Sequence, residues 1–196
     1  LNQLTQVTMP RPTGTQVRTF NYNIATGLLA SVTNPENGTI SYTYNAQNLM
    51  EWKTDAKSQQ VKYEYDAYRR VAFIKRYPTI GNEDVSQRTS FYYDTNPFGT
   101  SEYAQGRLAA VEYKVNAGLR TGRETYGYTR GGKTKWKRLD LGGPNAMQAQ
   151  WKYDNEGWLT EMTYPFGNPA TPDYKYLYNT QGQLREMRRQ DLQPVA

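Results

Sequence analysis

The feature that most constrains this chain is a short pattern that recurs seven times along it. Each copy has an aromatic residue, a spacer, a tyrosine, a short polar turn and an aliphatic residue, as in Trp151–Leu159 and Tyr176–Leu184. We call the tyrosine before the polar turn the second tyrosine of its copy. The second tyrosines are Tyr22, Tyr44, Tyr65, Tyr93, Tyr128, Tyr153 and Tyr178. Their spacing falls within the roughly 20 to 50 residues typical of repeat architectures.

The residue two positions before each second tyrosine is aromatic as well. These first aromatics are Phe20, Tyr42, Tyr63, Phe91, Tyr126, Trp151 and Tyr176. Two residues separated by one position point to the same face of an extended strand, so the pairs predict strands and not helices. Since one hairpin cannot bury its aromatic face alone, stacked neighbours are expected to bury a continuous aromatic stripe.

The polar turn after each second tyrosine predicts a β-hairpin. An Asp or Asn after the tyrosine bonds its own backbone two residues on, and a glycine four residues after the tyrosine adopts a positive φ without steric cost. Such turn residues are Asn45, Asp66, Asp94, Asp154 and Asn179, with Gly157 and Gly182. Asn48 and Arg69 stand in the glycine's place. Asn tolerates the left-handed region, whereas Arg69 is expected to mark an altered turn.

The pattern predicts an all-β fold of tandem β-hairpin repeats. They are expected to form a continuous curved antiparallel sheet, either an open strip or a partial shell or solenoid. No composition shift divides the chain, so we expect a single array over residues 1–196, cut from a longer repeat protein. The regularity fails from Asp94 to Gly106 and around Tyr128, and any function specific to this chain is expected there first.

Composition excludes several classes of function. The chain has no histidine and no cysteine, which removes Ser-His-Asp and Cys-His catalysis, the usual zinc sites and disulfides. The recurring acids Asp66, Asp94 and Asp154 occupy turn positions, where a structural role explains them. No apolar run approaches the roughly 18 residues of a membrane span. We therefore expect no enzyme, no catalytic residues, no cofactor, no metal site and no membrane span.

Two binding functions are alternatives to a structural role. Aromatic rings stack on sugar faces, and Trp52, Trp158 and Tyr164 lie outside the paired aromatics, so they are candidate contacts of a glycan in a carbohydrate-binding or adhesion module. The third alternative is nucleic-acid binding through the basic segment 120–138 of a chain with net charge +6. Its basic residues are Arg120, Arg123, Arg130, Lys133, Lys135, Lys137 and Arg138. A solvated strand face is the favoured interpretation of this segment, because its charged and packing residues alternate.

The iterated motif resembles the YD repeat of the Rhs family, which includes the C components of insecticidal toxin complexes, wall-associated toxins and the teneurins. The resemblance covers nearly the whole chain. It implies a long β-sheet strip that spirals into a hollow shell around a toxin or effector domain, or a rigid scaffold at the cell surface. The implied partners are further repeats of the parent chain and an enclosed domain, and the implied location is secreted or at the cell surface.

One departure from that family limits the resemblance. Members that release a passenger end their repeats with an Asp-Pro-x-Gly signature and an aspartyl self-cleavage apparatus, and this chain has no Asp-Pro dipeptide. The segments 96–99 and 164–167 are superficially similar but lack the Asp. No cleavage role is transferred to them, and the chain most resembles an internal segment of such a strip.

Overall fold

The computed structural model describes residues 2–115, 120–165 and 172–189. Within them the chain forms one antiparallel sheet of 15 strands whose spatial order is the order of the sequence. The strands are β1 (Gln6–Arg11), β2 (Gly14–Tyr22), β3 (Leu29–Asn34), β4 (Gly38–Tyr44), β5 (Met50–Thr54), β6 (Gln60–Tyr65), β7 (Val71–Tyr77), β8 (Thr89–Tyr93), β9 (Leu108–Val115), β10 (Arg120–Tyr128), β11 (Thr134–Asp140), β12 (Met147–Tyr153), β13 (Leu159–Thr163), β14 (Tyr174–Tyr178) and β15 (Leu184–Arg189). A single-turn 3₁₀ helix, Val85–Gln87, precedes β8. The predicted all-β array of hairpins is confirmed.

The chain divides into two compact units. Residues up to Ser90 form the first unit and residues from Phe91 onward form the second, so the boundary falls within β8. The first contains β1–β7 and the second contains β9–β15. The expectation of a single array over residues 1–196 stays a prediction.

Burial is shallow in both units and depends on aromatic rings. Among the described residues no large side chain is fully buried. In the first unit Val32 is the buried apolar residue, and in the second unit Ala104, Ala109, Ala110 and Val111 are buried. The first aromatics and second tyrosines are all half-buried. In β14, for example, Tyr176 and Tyr178 are half-buried, whereas Lys175 and Leu177 are exposed, which is the alternation of a strand with one packed face.

Five of the seven turns after the second tyrosines share one hydrogen-bond geometry. The Asp154 N–H donates to the Trp158 carbonyl at 3.0 Å, the Gly157 N–H donates to the Asp154 carbonyl at 3.1 Å, and Asp154 Oδ1 accepts from the Trp158 N–H at 2.7 Å. The same three bonds form in the turns that begin at Asn45, Asp66, Thr129 and Asn179. A threonine hydroxyl therefore replaces the carboxylate in the copy at Tyr128 without changing the turn.

The glycine position of this turn accepts other residues. Asn48 has φ of 60° and Arg69 has φ of 65°. The expectation of an altered turn at Arg69 is wrong, because its N–H donates to the Asp66 carbonyl at 3.0 Å as in the regular copies. The left-handed conformation costs an L-residue about 1–2 kcal/mol. The bonds that Asp66 makes to the turn offset that cost.

An additional turn of the same geometry connects β5 to β6. The Asp55 N–H donates to the Gln59 carbonyl at 3.0 Å, and the Ser58 N–H donates to the Asp55 carbonyl at 3.0 Å. Asp55 Oδ1 accepts from the Gln59 N–H at 2.9 Å, and Ser58 has φ of 62°. The sequence pattern missed this turn because Thr54 and Ser58 stand where tyrosine and glycine define the motif.

A β-bulge lies beside the second tyrosine in six hairpins of the described chain. Lys152 faces Glu161 and Tyr153 faces Leu159, which leaves Thr160 as an extra residue on β13. The same register shift occurs at Tyr22, Tyr44, Tyr65, Tyr128 and Tyr178. Each bulge increases the local right-handed twist of its hairpin. The sequence pattern gave no signal for this extra residue.

Candidate functional site

Six second tyrosines donate their hydroxyl to a backbone carbonyl earlier in the chain, and for five of them the acceptor belongs to the copy before. Tyr153 Oη donates to the carbonyl of Thr134 at 2.9 Å, and Thr134 is the first residue of β11, the return strand of the preceding hairpin. The same bond joins Tyr22 to Leu4, Tyr44 to Leu29, Tyr65 to Met50, Tyr128 to Leu108 and Tyr178 to Leu159. Except at Leu4, the acceptor is the first residue of a return strand. The copies are therefore linked by side chain to backbone bonds as well as by the sheet.

In the second unit the residue after each turn glycine covers the tyrosine ring of the next copy. The Arg107 guanidinium lies 5.6 Å from the Tyr128 ring centroid, and the Lys133 ammonium lies 5.2 Å from that of Tyr153. The Trp158 ring lies 5.4 Å from that of Tyr178, with an interplanar angle of 38°. Cation–π and ring–ring contacts thus occupy the same place in successive copies.

The same covering residue also packs on the next turn glycine. A Cβ added at Gly157 would lie 2.8 Å from Lys133 Nζ, and one added at Gly182 would lie 2.5 Å from the Trp158 ring. Lys133 Nζ also donates to the Gly157 carbonyl. At these two positions glycine is needed for two reasons: it adopts a positive φ without strain, and its missing side chain leaves room for the preceding copy.

Burial favours the protonated form of four of the linking phenols by raising their pKa. It raises the pKa of the Tyr44, Tyr65 and Tyr153 phenols above their ordinary value. Burial raises the pKa of Tyr128 as well, against an opposing effect of the Arg107 charge. These phenols therefore remain hydrogen-bond donors over the pH range in which proteins are stable.

The hydroxyls of two first aromatics contact side chains of their own strand or of the strand before it. Tyr126 Oη donates to Glu124 Oε2 at 2.5 Å, and burial together with that bond raises the pKa of Tyr126. Tyr176 Oη contacts Met162 Sδ at 3.8 Å. Tyr42, Tyr63 and Trp151 are half-buried on the same strand faces as their second tyrosines.

The three aromatics proposed as glycan contacts have different surroundings. Trp52 lies in β5 against Tyr77, with ring centroids 5.1 Å apart. Trp158 is 43% exposed and covers the next copy, and Tyr164 is 48% exposed and meets the Tyr174 ring edge-on at 5.7 Å. Trp158 and Tyr164 lie at opposite ends of β13, and Trp52 belongs to the first unit. The structure does not bring the three together.

Ion pairs neutralise part of the basic segment 120–138. Arg123 pairs with Glu112 at 2.8 Å. Lys137 pairs with Glu124 at 2.8 Å, and Lys135 pairs with Glu102 at 2.6 Å. A nucleic-acid backbone requires several unpaired cations close together, so these pairs favour a strand face that is charged but internally compensated.

The irregular segment between Asp94 and Gly106 folds back onto β10 and β11. We call residues 95–105 the insertion. Asp94 Oδ1 accepts from the Gly106 N–H at 2.5 Å and closes its base. Glu102 accepts from Trp136 Nε1 at 2.9 Å, and its carbonyl accepts from the Tyr128 N–H at 2.9 Å. The Lys135 and Trp136 contacts lower the pKa of the Glu102 carboxyl, so this anchor stays charged.

A groove of about 420 Å³ opens between the insertion and one face of β10–β12. Its wall is the turn at Asn96, which is 6% exposed. The Asn96 side chain accepts from the Phe98 N–H at 2.9 Å and donates to the Thr100 carbonyl at 3.3 Å. The sequence indicated the irregular segment as the place to look, but gave no signal for the groove, which depends on contacts distant in sequence.

Residues 2–115, 120–165 and 172–189 contain no group of three or more acidic residues placed to hold a metal ion. No helix in the same residues has the length and apolar character needed to cross a membrane.

The fold is similar to that of a solved toxin structure. The Photorhabdus luminescens Tc holotoxin pore with a mutant TccC3 aligns with 92% of this chain and 11% of its own chain, at a TM-score of 0.63 and 11% sequence identity. Crystal structures of TcdB2-TccC3 without the hypervariable C-terminal region and of TcdB2-TccC3-Cdc42 each cover 93% of this chain and 12% of their own. Their TM-scores are 0.42 and 0.40 at identities of 15% and 16%.

The likeness to the holotoxin pore concerns the fold alone, because the identity is low. It supports a YD-repeat-like fold for this chain, which spans 11% of that structure's chain. No protein-family model matches the sequence, and no curated protein matches it at a significant level.

The turn glycines give a matched pair of substitutions that separates backbone strain from the contact between copies. Gly106 and Gly182 both have φ of 75°, but a Cβ meets nothing within 4 Å at Gly106 and meets the Trp158 ring at Gly182. We expect Gly106→Ala to lower the free energy of unfolding by about 1 kcal/mol, from the left-handed φ alone. Gly182→Ala should cost about 1–3 kcal/mol more, because the Trp158 ring must move. Urea denaturation measures both, and equal costs would contradict the packing of Trp158 on the next copy.

The linking hydroxyl is tested by removing it and leaving its ring in place. Tyr153→Phe should lower the free energy of unfolding by about 1 kcal/mol, because the Thr134 carbonyl loses its donor. Tyr68, which is 77% exposed in a turn, is the control, and Tyr68→Phe should change stability by less than about 0.5 kcal/mol. Thermal or urea unfolding of the two variants makes the comparison. A Tyr153→Phe variant as stable as Tyr68→Phe would show that the hydroxyl does not link the copies.

Proposed function

We propose that this chain is a non-enzymatic structural segment of a Rhs-type shell or surface scaffold that encloses or displays a toxin or effector domain. The observation that carries the proposal is the bond from each of five second tyrosines to the copy before it, as from Tyr153 to Thr134. Such links make the array stiff along the direction in which copies are added. Stiffness in that direction suits a wall or a spacer.

The structural use of the acids and aromatics supports a role without catalysis. Asp66 and Asp154 each accept from backbone N–H groups of their own turns. The pKa of the Asp66 carboxyl is lowered: burial alone would raise it, but bonds from the Arg70 and Tyr68 backbone and the Arg70 side chain outweigh burial. Carboxylates held charged in this way are poor general acids at neutral pH. The residues that a catalytic site would draw on are thus engaged in holding the fold.

The proposed partners are further copies of the same repeat and an enclosed domain of the parent protein. The similarity in fold to a Tc holotoxin pore structure, of which this chain spans 11%, supports a setting in a much larger toxin-type assembly. A secreted or cell-surface location belongs to the same proposal.

The proposal predicts that the array shields another domain of the full natural protein from proteolysis. In a trypsin time course followed by mass spectrometry, that domain should be cut slowly in the wild type. A Tyr153→Ala, Tyr178→Ala double variant should accelerate its cleavage, because two links between copies are lost. The matched control is Tyr68→Ala, which removes a 77% exposed ring from a turn.

Equal cleavage rates in the wild type, the double variant and the Tyr68→Ala control would contradict enclosure. Cleavage of the other domain at the same rate when it is expressed alone would contradict it as well. A protein whose other domain is digested early while the array stays intact would instead indicate a spacer that displays its partner.

A further inference from the structure

The groove beside the insertion has the volume of a ligand-binding site, and a loop forms one of its walls. Its volume of about 420 Å³ lies within the range of about 300–1,000 Å³ that is usual for ligand sites. One wall is the turn Asn96–Thr100, and the floor is formed by side chains of β10, β11 and β12. Loops that stand on a rigid sheet are the usual position of binding residues. The groove coincides with the segment where the repeat departs most from its pattern.

Side chains on the floor of the groove are spaced like the alternate side chains of an extended peptide. Trp136, Arg138 and Asp140 alternate along β11 and all line the groove. Alternate side chains of a strand point to the same face and repeat about every 6.5–7 Å. A peptide that lies along β11 in an extended conformation has the same repeat. Every second side chain of such a peptide can therefore meet one of these three residues.

The three residues differ in character and in the partners they already have. The Trp136 ring packs over Gly127 and its Nε1 is held by Glu102, so the ring is fixed before any ligand arrives. Arg138 is exposed and forms no ion pair or hydrogen bond with another described residue. Asp140 Oδ1 accepts from the Gly142 N–H at 2.8 Å, which orients its carboxylate. Along β11 the floor thus runs from apolar to positive to negative.

Arg123, the second arginine of the groove, already has partners, whereas Arg138 is free to pair with a ligand. Arg123 pairs with Glu112 at 2.8 Å, and its guanidinium lies 4.4 Å from the Phe98 ring centroid. One unpaired guanidinium beside a carboxylate is a poor match for a run of phosphates. It is a good match for a single carboxylate, which a planar guanidinium binds through two parallel hydrogen bonds.

We propose that the groove binds an extended segment of a partner protein in which alternate side chains are apolar, acidic and basic. The apolar side chain covers Trp136, the acidic side chain pairs with Arg138, and the basic side chain meets Asp140. The order of the three, and not the overall charge, provides the specificity. This site is separate from the links between copies, and it does not depend on whether the array encloses a domain.

The test uses two peptides of identical composition. The probe is fluorescein-labelled Thr-Leu-Thr-Glu-Thr-Lys-Thr with blocked ends, and the control peptide exchanges its Glu and Lys. Fluorescence anisotropy at low salt measures both affinities for the whole chain. We expect the probe to bind about tenfold more tightly than the control peptide, because with Leu over Trp136 the exchange places a lysine at Arg138 and a glutamate at Asp140.

The variants test whether Arg138 carries the specificity. Arg138→Gln should weaken probe binding at least about fivefold and remove the preference between the peptides. Arg185→Gln makes the same charge change at an exposed position of β15 outside the groove, and should leave both affinities unchanged. Because Arg138 is exposed and unpaired in the described structure, its variant is expected to unfold at the same urea concentration as the wild type.

Three results would overturn the proposal. They are absence of probe binding, equal binding of the two peptides by the wild type, and an Arg138→Gln variant that binds the probe like the wild type. Binding of a glucuronic acid disaccharide that requires Arg138, without binding of the probe, would also overturn it and would indicate an acidic sugar as the ligand.

Discussion

The hydroxyls of five second tyrosines donate to backbone carbonyls of the copies before them, and the rest of the structure is arranged around that contact. A carbonyl at the start of a return strand lies beside a turn, where sheet pairing has just begun. The bond from Tyr65 to Met50 at 2.6 Å satisfies such a group with a side chain whose ring is itself half-buried. Without large fully buried side chains in the described residues, stability depends on many half-buried rings of this kind.

That contact explains why the turn is so uniform. For the ring to reach back to the preceding copy, successive turns must stack closely, and in the second unit Lys133 and Trp158 lie directly over the next glycines. The residue after the glycine covers the tyrosine ring of the next copy because of its position, whatever its side-chain type. An ammonium and an indole both cover a tyrosine face, so Lys133 and Trp158 are equivalent there.

The paired aromatics and the turn residues are local signals, and they predicted strands, hairpins and the absence of long helices. The bulge residue Thr160 and the turn at Asp55 were missed, because neither has a residue type that marks it. The role of Trp158 was missed for a related reason, since a covering residue is recognised only when the next copy is in place.

The groove cannot be predicted from local sequence patterns. The sequence marked residues 94–106 as irregular, but the groove exists because Glu102 is anchored to Trp136, 34 residues away along the chain. Nothing in the spacing of these residues predicts that contact. The two functional proposals therefore differ in origin: the scaffold role follows from repetition, and the peptide groove follows from the place where repetition fails.

Native-state hydrogen exchange on a Tyr153→Ala variant tests the central claim most directly. If the tyrosine links neighbouring copies, amide protection should fall in β12 and β13 and also in β10 and β11, which contain the preceding copy. Protection in β2 and β3 of the first unit should be unchanged and serves as the internal control. Loss of protection confined to β12 and β13 would contradict the account, because it would show that each hairpin is stable without the ring of the next.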